Sequence, residues 1–173
     1  MGKRDLKKEL AEYDKKMLIG LISELYDKNK SVREYLDYFL KPDENEVLQT
    51  YKTKVNEAFY PRRGVGYNLA AGKKAISDFR KLKPSADALI ELMLYYSECG
   101  VQFTKDYGDI NESFYLSIER AFRDSLGLID NNKLHNKFKD KAFKIYQNSE
   151  NTGWGFNETL GDFYYETFPF EDE

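Results

Sequence analysis

Three features of this 173-residue sequence predict an all-α fold. Leucine, at 18 residues, outnumbers valine and isoleucine together, at 13, whereas a sheet would favour the β-branched pair. Apolar residues recur at i, i+3, i+4 and i+7 along nearly the whole chain, and no segment alternates convincingly with a period of two.

The elements follow in chain order. Segments 3–11 and 14–28 read as a helical hairpin: Asp14 takes the N-cap position, and Leu18, Leu21, Ile22, Leu25 and Tyr26 form one face of the second helix. Val32, Tyr35, Leu36 and Phe39 repeat the pattern over 31–40, where Ser31 with Glu34 has capping-box spacing. Asp43 with Glu46 opens 43–59, with a stripe of Val47, Leu48, Tyr51, Val55 and Phe59. Leu69, Ile76 and Phe79 mark 68–82. Pro42, Pro61 and Pro84 fall between these segments, where a helix cannot continue. Asp109 with Glu112 opens 110–129, carrying Phe114, Ile118, Phe122 and Leu126. Leu134, Phe138, Ala142 and Ile145 define 132–148. Asn157, read as an N-cap, precedes Leu160, Phe163 and Tyr164 in 157–168. Short connections imply antiparallel neighbours, as in a bundle or a helical-hairpin array.

The segment 85–105 differs from the rest. From Leu89 to Phe103 apolar side chains occupy most of the circumference, so other helices must surround it, and it is placed at the centre. Glu91 and Glu98, seven apart, share a face, expected to be its more exposed side.

Length and composition predict one helical domain over 1–173, with the N-terminal hairpin at 1–30 and an acidic helix and tail at 150–173. No apolar run approaches the ~20 residues of a membrane span. The charged start, Met1-Gly-Lys-Arg-Asp-Leu6, lacks the apolar core of a secretory signal, so a cytoplasmic setting and no membrane partner are expected. One cysteine and one histidine exclude an internal disulfide and a zinc site built of Cys and His alone. Cys99 is expected to be a small core residue. His135, in a basic stretch, is expected to be exposed or half-packed, with no catalytic part.

The net charge of -3 hides a separation. Residues 52–83 carry nine basic and two acidic residues, a net of +7, and residues 150–173 carry seven acidic residues and no Lys or Arg, a net of -7. Within the basic segment, Arg62, Arg63, Gly64 and Gly66 lie just ahead of a helix start near Asn68, followed by Lys73, Lys74, Arg80 and Lys81. Helix starts favour anions, and glycines admit close backbone approach. The Gly64-Val-Gly66 spacing matches neither a dinucleotide nor a P-loop fingerprint. Three readings stay open: a solvated helix face, an anion or nucleic-acid site, and neutralisation by the acidic tail within one molecule or between two.

Tyr60, Tyr67 and Trp154 lie beside glycines and are the aromatics available for stacking a ring. For Trp154, in Gly153-Trp-Gly-Phe156, the competing expectation is that its ring plugs the tail into the core. Asp106, Asp109 and Glu112 fail the EF-hand spacing in both frames, so capping explains them better. Glu158, Asp162 and Glu166 stand one turn apart, an exposed acidic stripe or part of a metal site if another helix adds ligands. The N-terminal hairpin has the general outline of small helix-extended-helix modules that touch DNA.

Several stretches together carry a resemblance: Leu6-Lys-Lys-Glu-Leu10, Leu25-Tyr-Asp-Lys-Asn29, Phe59-Tyr-Pro61 with Gly64, Lys74-Ala-Ile-Ser-Asp-Phe79, Tyr107-Gly-Asp-Ile-Asn-Glu112, Gly153-Trp-Gly-Phe156 and Leu160-Gly-Asp-Phe-Tyr-Tyr165. Across nearly its whole length the chain resembles an uncharacterised bacterial family, a domain of unknown function. The resemblance implies no activity, cofactor or catalytic residue.

The functional expectation is a non-enzymatic binding or adaptor protein. Its surface comprises Arg62, Arg63, Lys73, Lys74, Arg80 and Lys81, and its partner is nucleic acid, another phosphate-bearing molecule or an acidic protein surface. The alternatives are an interaction module or homo-oligomer without nucleic-acid binding, and a metal-dependent enzyme using Glu158, Asp162 and Glu166. No cofactor and no catalytic or metal-ligating residue is assigned.

Overall fold

The computed structural model describes residues 1–41, 43–64 and 66–169. They form nine α-helices and no strand: α1 Lys3–Ala11, α2 Lys15–Lys28, α3 Lys30–Leu40, α4 Glu44–Phe59, α5 Leu69–Lys81, α6 Ala86–Tyr107, α7 Glu112–Asn132, α8 His135–Asn148 and α9 Phe156–Thr167. The all-α, multi-helix expectation holds. Among the described residues no helix is long and apolar enough to cross a membrane.

The chain divides into two compact units, Met1–Asp43 and Glu44–Glu173. In the first, Asp14 caps α2 by accepting the Met17 N–H at 2.8 Å. Tyr26 donates its hydroxyl to Asp37 at 2.9 Å, and the Arg33 guanidinium lies 5.2 Å from the Tyr26 ring centroid, which ties α2 to α3. α3 begins at Lys30, one residue before the expected Ser31 cap, and Asn29 precedes it without a side-chain cap. None of the described residues of this unit is buried. Met17, Ile19, Ile22, Leu25, Phe39 and Leu40 are all exposed, Leu40 at 71%.

The second unit holds the core. α6 packs against α4, α5, α7 and α8 and is buried over most of its circumference from Ala88 to Thr104, except for the stripe of Glu91, Tyr95, Glu98 and Gln102. The expected central helix is confirmed. Its polar positions are satisfied locally: the Ser97 hydroxyl donates to the Met93 carbonyl at 3.3 Å and Thr104 to Val101 at 2.9 Å. Gly100 gives Ile118 of α7 room to press against the α6 backbone, and Gly72 does the same for the Tyr96 ring against α5. Phe59, Tyr96, Phe103 and Phe114 interlock with centroids 5.1–6.2 Å apart. Cys99 is buried, and burial pushes its thiol up to about 12, so it acts as an inert core side chain.

Two local expectations change. Asn111, not Asp109, caps α7, accepting the Phe114 N–H at 3.0 Å. Asp109 instead accepts the Tyr115 hydroxyl at 2.6 Å and the Gly153 N–H at 2.9 Å, pinning the loop before α9. α9 starts at Phe156, so Asn157 is inside it. The Asn157 amide donates back to the Tyr146 carbonyl and the Ser149 hydroxyl. Glu91 and Glu98 share the more exposed side of α6, as expected, and Glu91 is the covered member of the pair. Half-buried, it accepts from Lys52 of α4 at 2.6 Å and Lys141 of α8 at 2.5 Å, while Glu98 is exposed.

Candidate functional site

A groove runs between α5 and α7 over one side of α6. Its deeper part is a cavity of about 420 Å³. Lys73, Ile76 and Arg80, at i, i+3 and i+7 of α5, form one wall. Ser113, Leu116, Ser117, Arg120, Ala121 and Asp124 of α7 form the other, and buried Met93 of α6 lies at the floor. A second trough of about 600 Å³ shares Arg80 and Asp124 with the first. It carries the groove onward past Leu89 to Arg123, Gly127, Leu128 and Asn131.

The walls form because the inward faces of these helices are spent on the core. Ile76 and Phe79 of α5, and Phe114, Ile118, Phe122 and Leu126 of α7, are buried and hold the two helices beside α6. The basic side chains occupy the flanks of those stripes. Arg80 extends over the floor, its Nη2 3.6 Å from the Met93 sulfur. Arg123 reaches the Phe163 ring of α9, 5.9 Å to the centroid, and lies 3.7 Å from Asp124. Among the described residues, Lys73, Arg80 and Arg120 form no ion pair, and Asp124 is the one carboxylate that lines the cavity with them. The two serines are already engaged: Ser117 shares a 2.9 Å hydrogen bond with buried Tyr96, and Ser113 donates to Asn111 at 2.7 Å.

The six basic residues of the sequence reading do not all meet here. Lys73 and Arg80 line the groove. Lys74 and Lys81 lie on a different stripe of α5, where both pair with Asp78 and their hydrogen bonds hold its carboxyl below the usual range. Arg62 pairs with Glu57 at 2.5 Å, and Arg63 is exposed on the α4–α5 loop. Arg120 and Arg123 were outside the +7 segment. Their signal was present in the i, i+3 spacing on α7, but only packing shows that this side faces α5.

The stacking candidates also separate. Tyr60 and Tyr67 pack on Phe103 at 5.7 and 5.4 Å between centroids. Tyr60 donates to Asp106 at 2.7 Å, and Tyr67 accepts from the Asn111 amide at 3.2 Å. Burial first, and the Asp106 carboxylate second, push the Tyr60 hydroxyl well above its ordinary value. Trp154 is not the plug: it is 61% exposed, and the neighbouring Phe156 is the fully buried residue. Trp154 also holds a left-handed backbone, φ 63°, which a bulky side chain rarely adopts.

His135 is half-packed against the Phe168 ring edge, with Nε2 3.3 Å from Asp130. Among the described residues no three His, Cys, Asp or Glu side chains, Glu158, Asp162 and Glu166 included, come together as a metal-ligand cluster. Of the acidic tail, Glu171, Asp172 and Glu173 lie outside the described residues, and with them part of the expected neutralisation of the basic segment.

No curated protein and no solved structure matches the chain. A family model does match, over residues 1–168 of the 173, and the chain belongs to that family, a family of unknown function (DUF6155).

Proposed function

We propose that this protein is a non-enzymatic binding or adaptor module and that the α5–α7 groove takes an acidic or phosphate-bearing partner. The observation that carries this reading is the convergence of Lys73, Arg80 and Arg120, none paired with a carboxylate among the described residues, on one groove with an apolar floor. A groove in which one sign of charge predominates over low-dielectric walls concentrates the field and draws in the opposite charge. Titration of a labelled polyphosphate and a labelled polyglutamate, each at two salt concentrations, tests it. Binding of either that weakens with salt, and is lost in a Lys73→Ala, Arg80→Ala, Arg120→Ala triple variant, supports the reading. Equal affinity in that variant overturns the site.

Self-association is a second reading, favoured by the exposed Met17, Ile19, Ile22, Leu25, Phe39 and Leu40 of the N-terminal unit. Sedimentation across concentration decides it, and a strict monomer removes it.

A further inference from the structure

We infer that the occupant of the α5–α7 groove is an acidic amphipathic helix of a partner protein, lying along α7. This rests on that groove being the binding site.

The first reason is shape. The α7 positions that line the two cavities, from Ser113 through Leu116, Arg120, Asp124 and Gly127 to Asn131, form a single helical stripe. At 1.5 Å per residue it spans about 27 Å, the length of a five-turn helix. A trough along one helix, walled by α5 from Lys73 to Arg80 and continued past Leu89 of α6, is a shape that receives a helix.

The second is chemistry. The lining has an apolar strip, Ile76, Met93, Leu116 and Leu128, and Leu116 is 42% exposed. The rim is cationic, with Lys73, Arg80, Arg120 and Arg123. The complement is a helix with an apolar stripe flanked by Asp and Glu. Asp124 sits where the two cavities join. It would repel a continuous phosphate backbone, whereas on a peptide helix it can pair with one Lys or Arg and fix direction.

The third is Gly127. A glycine inside a helix is costly in backbone entropy. The glycines at 72 and 100 repay that cost by admitting Tyr96 and Ile118, but a Cβ at 127 would meet nothing within 4 Å. Internal packing therefore does not require Gly127. Its missing side chain widens the groove where an incoming helix would approach α7 most closely.

The test uses the full chain and fluorescence anisotropy with three probes. One is a peptide of about five turns with Leu at i, i+3, i+4 and i+7 and Glu on the flanks. The second is the same composition in scrambled order, and the third is a single-stranded oligonucleotide of matching length. The periodic peptide should bind at least ~10-fold more tightly than either control. Arg120→Glu should weaken it by roughly 10-fold or more. Gly127→Leu, which fills the groove without touching the core, should do the same while melting no lower than the parent. Leu116→Glu, at an exposed apolar position of the groove, provides an independent block should Gly127→Leu disturb the helix. Equal binding of the periodic and scrambled peptides overturns the helix occupant, as does full affinity in both Gly127→Leu and Leu116→Glu. Preference for the oligonucleotide, lost in Arg120→Glu, overturns the helix occupant but leaves the anion-binding groove standing. No binding of any probe at low salt overturns both.

Discussion

Glu91 shows how a charge can sit on the central helix of a core. Burial alone would raise its carboxyl, but the Lys141 and Lys52 ammonium groups outweigh that, and the carboxyl is held below its ordinary 4.5. A depressed folded value gives stability that is fully present above the unfolded value and lost as pH falls through the folded one. The Glu91 contribution should therefore be intact at neutral pH and fade below about 4.5. Glu91→Gln should cost about 1.5–3 kcal/mol at pH 7, the range for hydrogen bonds to charged groups, and should show a flatter acid limb. Urea denaturation at pH 7 and at a series of acidic pH values measures both. The glycines give an opposed pair. Gly127→Ala should raise stability by up to ~1 kcal/mol, because the added methyl meets open space in a helix interior. Gly100→Ala should lower it by about 1–3 kcal/mol, because Ile118 occupies that space. Thermal melts distinguish the signs.

At the scale of elements, periodicity was the strong signal and capping the weak one. Apolar stripes such as Phe114, Ile118, Phe122 and Leu126 were readable because each core-facing helix must repeat its buried positions every three or four residues. Asp14 was readable as a cap because one acid precedes one apolar helix. Asp109 and Asn111 were not separable: two capping residues stand two apart, and tertiary contacts with Tyr115 and Gly153 draw Asp109 away. The same contacts make a prediction. Asp109→Ala should free the Gly153 N–H and speed its amide exchange while leaving the exchange of α6 unchanged. Unchanged exchange at Gly153 would show that the loop is held by other means. In the candidate site, Lys73 and Arg80 were legible as members of a basic run. Their separation from Lys74 and Lys81 depends on a 100° step per residue around α5 and on which side meets α7, and Asp78 then claims only one stripe.

At the scale of the whole molecule, all the described residues buried in the core belong to the second unit, and none to the first. A chain of 44–173 should therefore keep the helical circular dichroism of α4–α9 and melt cooperatively. A chain of 1–43 should be largely unfolded, because segments near 40 residues without a core or a staple rarely hold alone. Loss of cooperative melting in 44–173 would contradict this. The amino-acid sequence by itself determined the helical class, the order of the helices and the central place of α6, because helix periodicity and all-round hydrophobicity are local properties of the chain. The groove was decided only by the tertiary structure. Its charges come from α5 and α7, with Arg80 and Arg120 forty residues apart in sequence. Which surface side chains of two helices face each other is set by the packing of their opposite, buried sides.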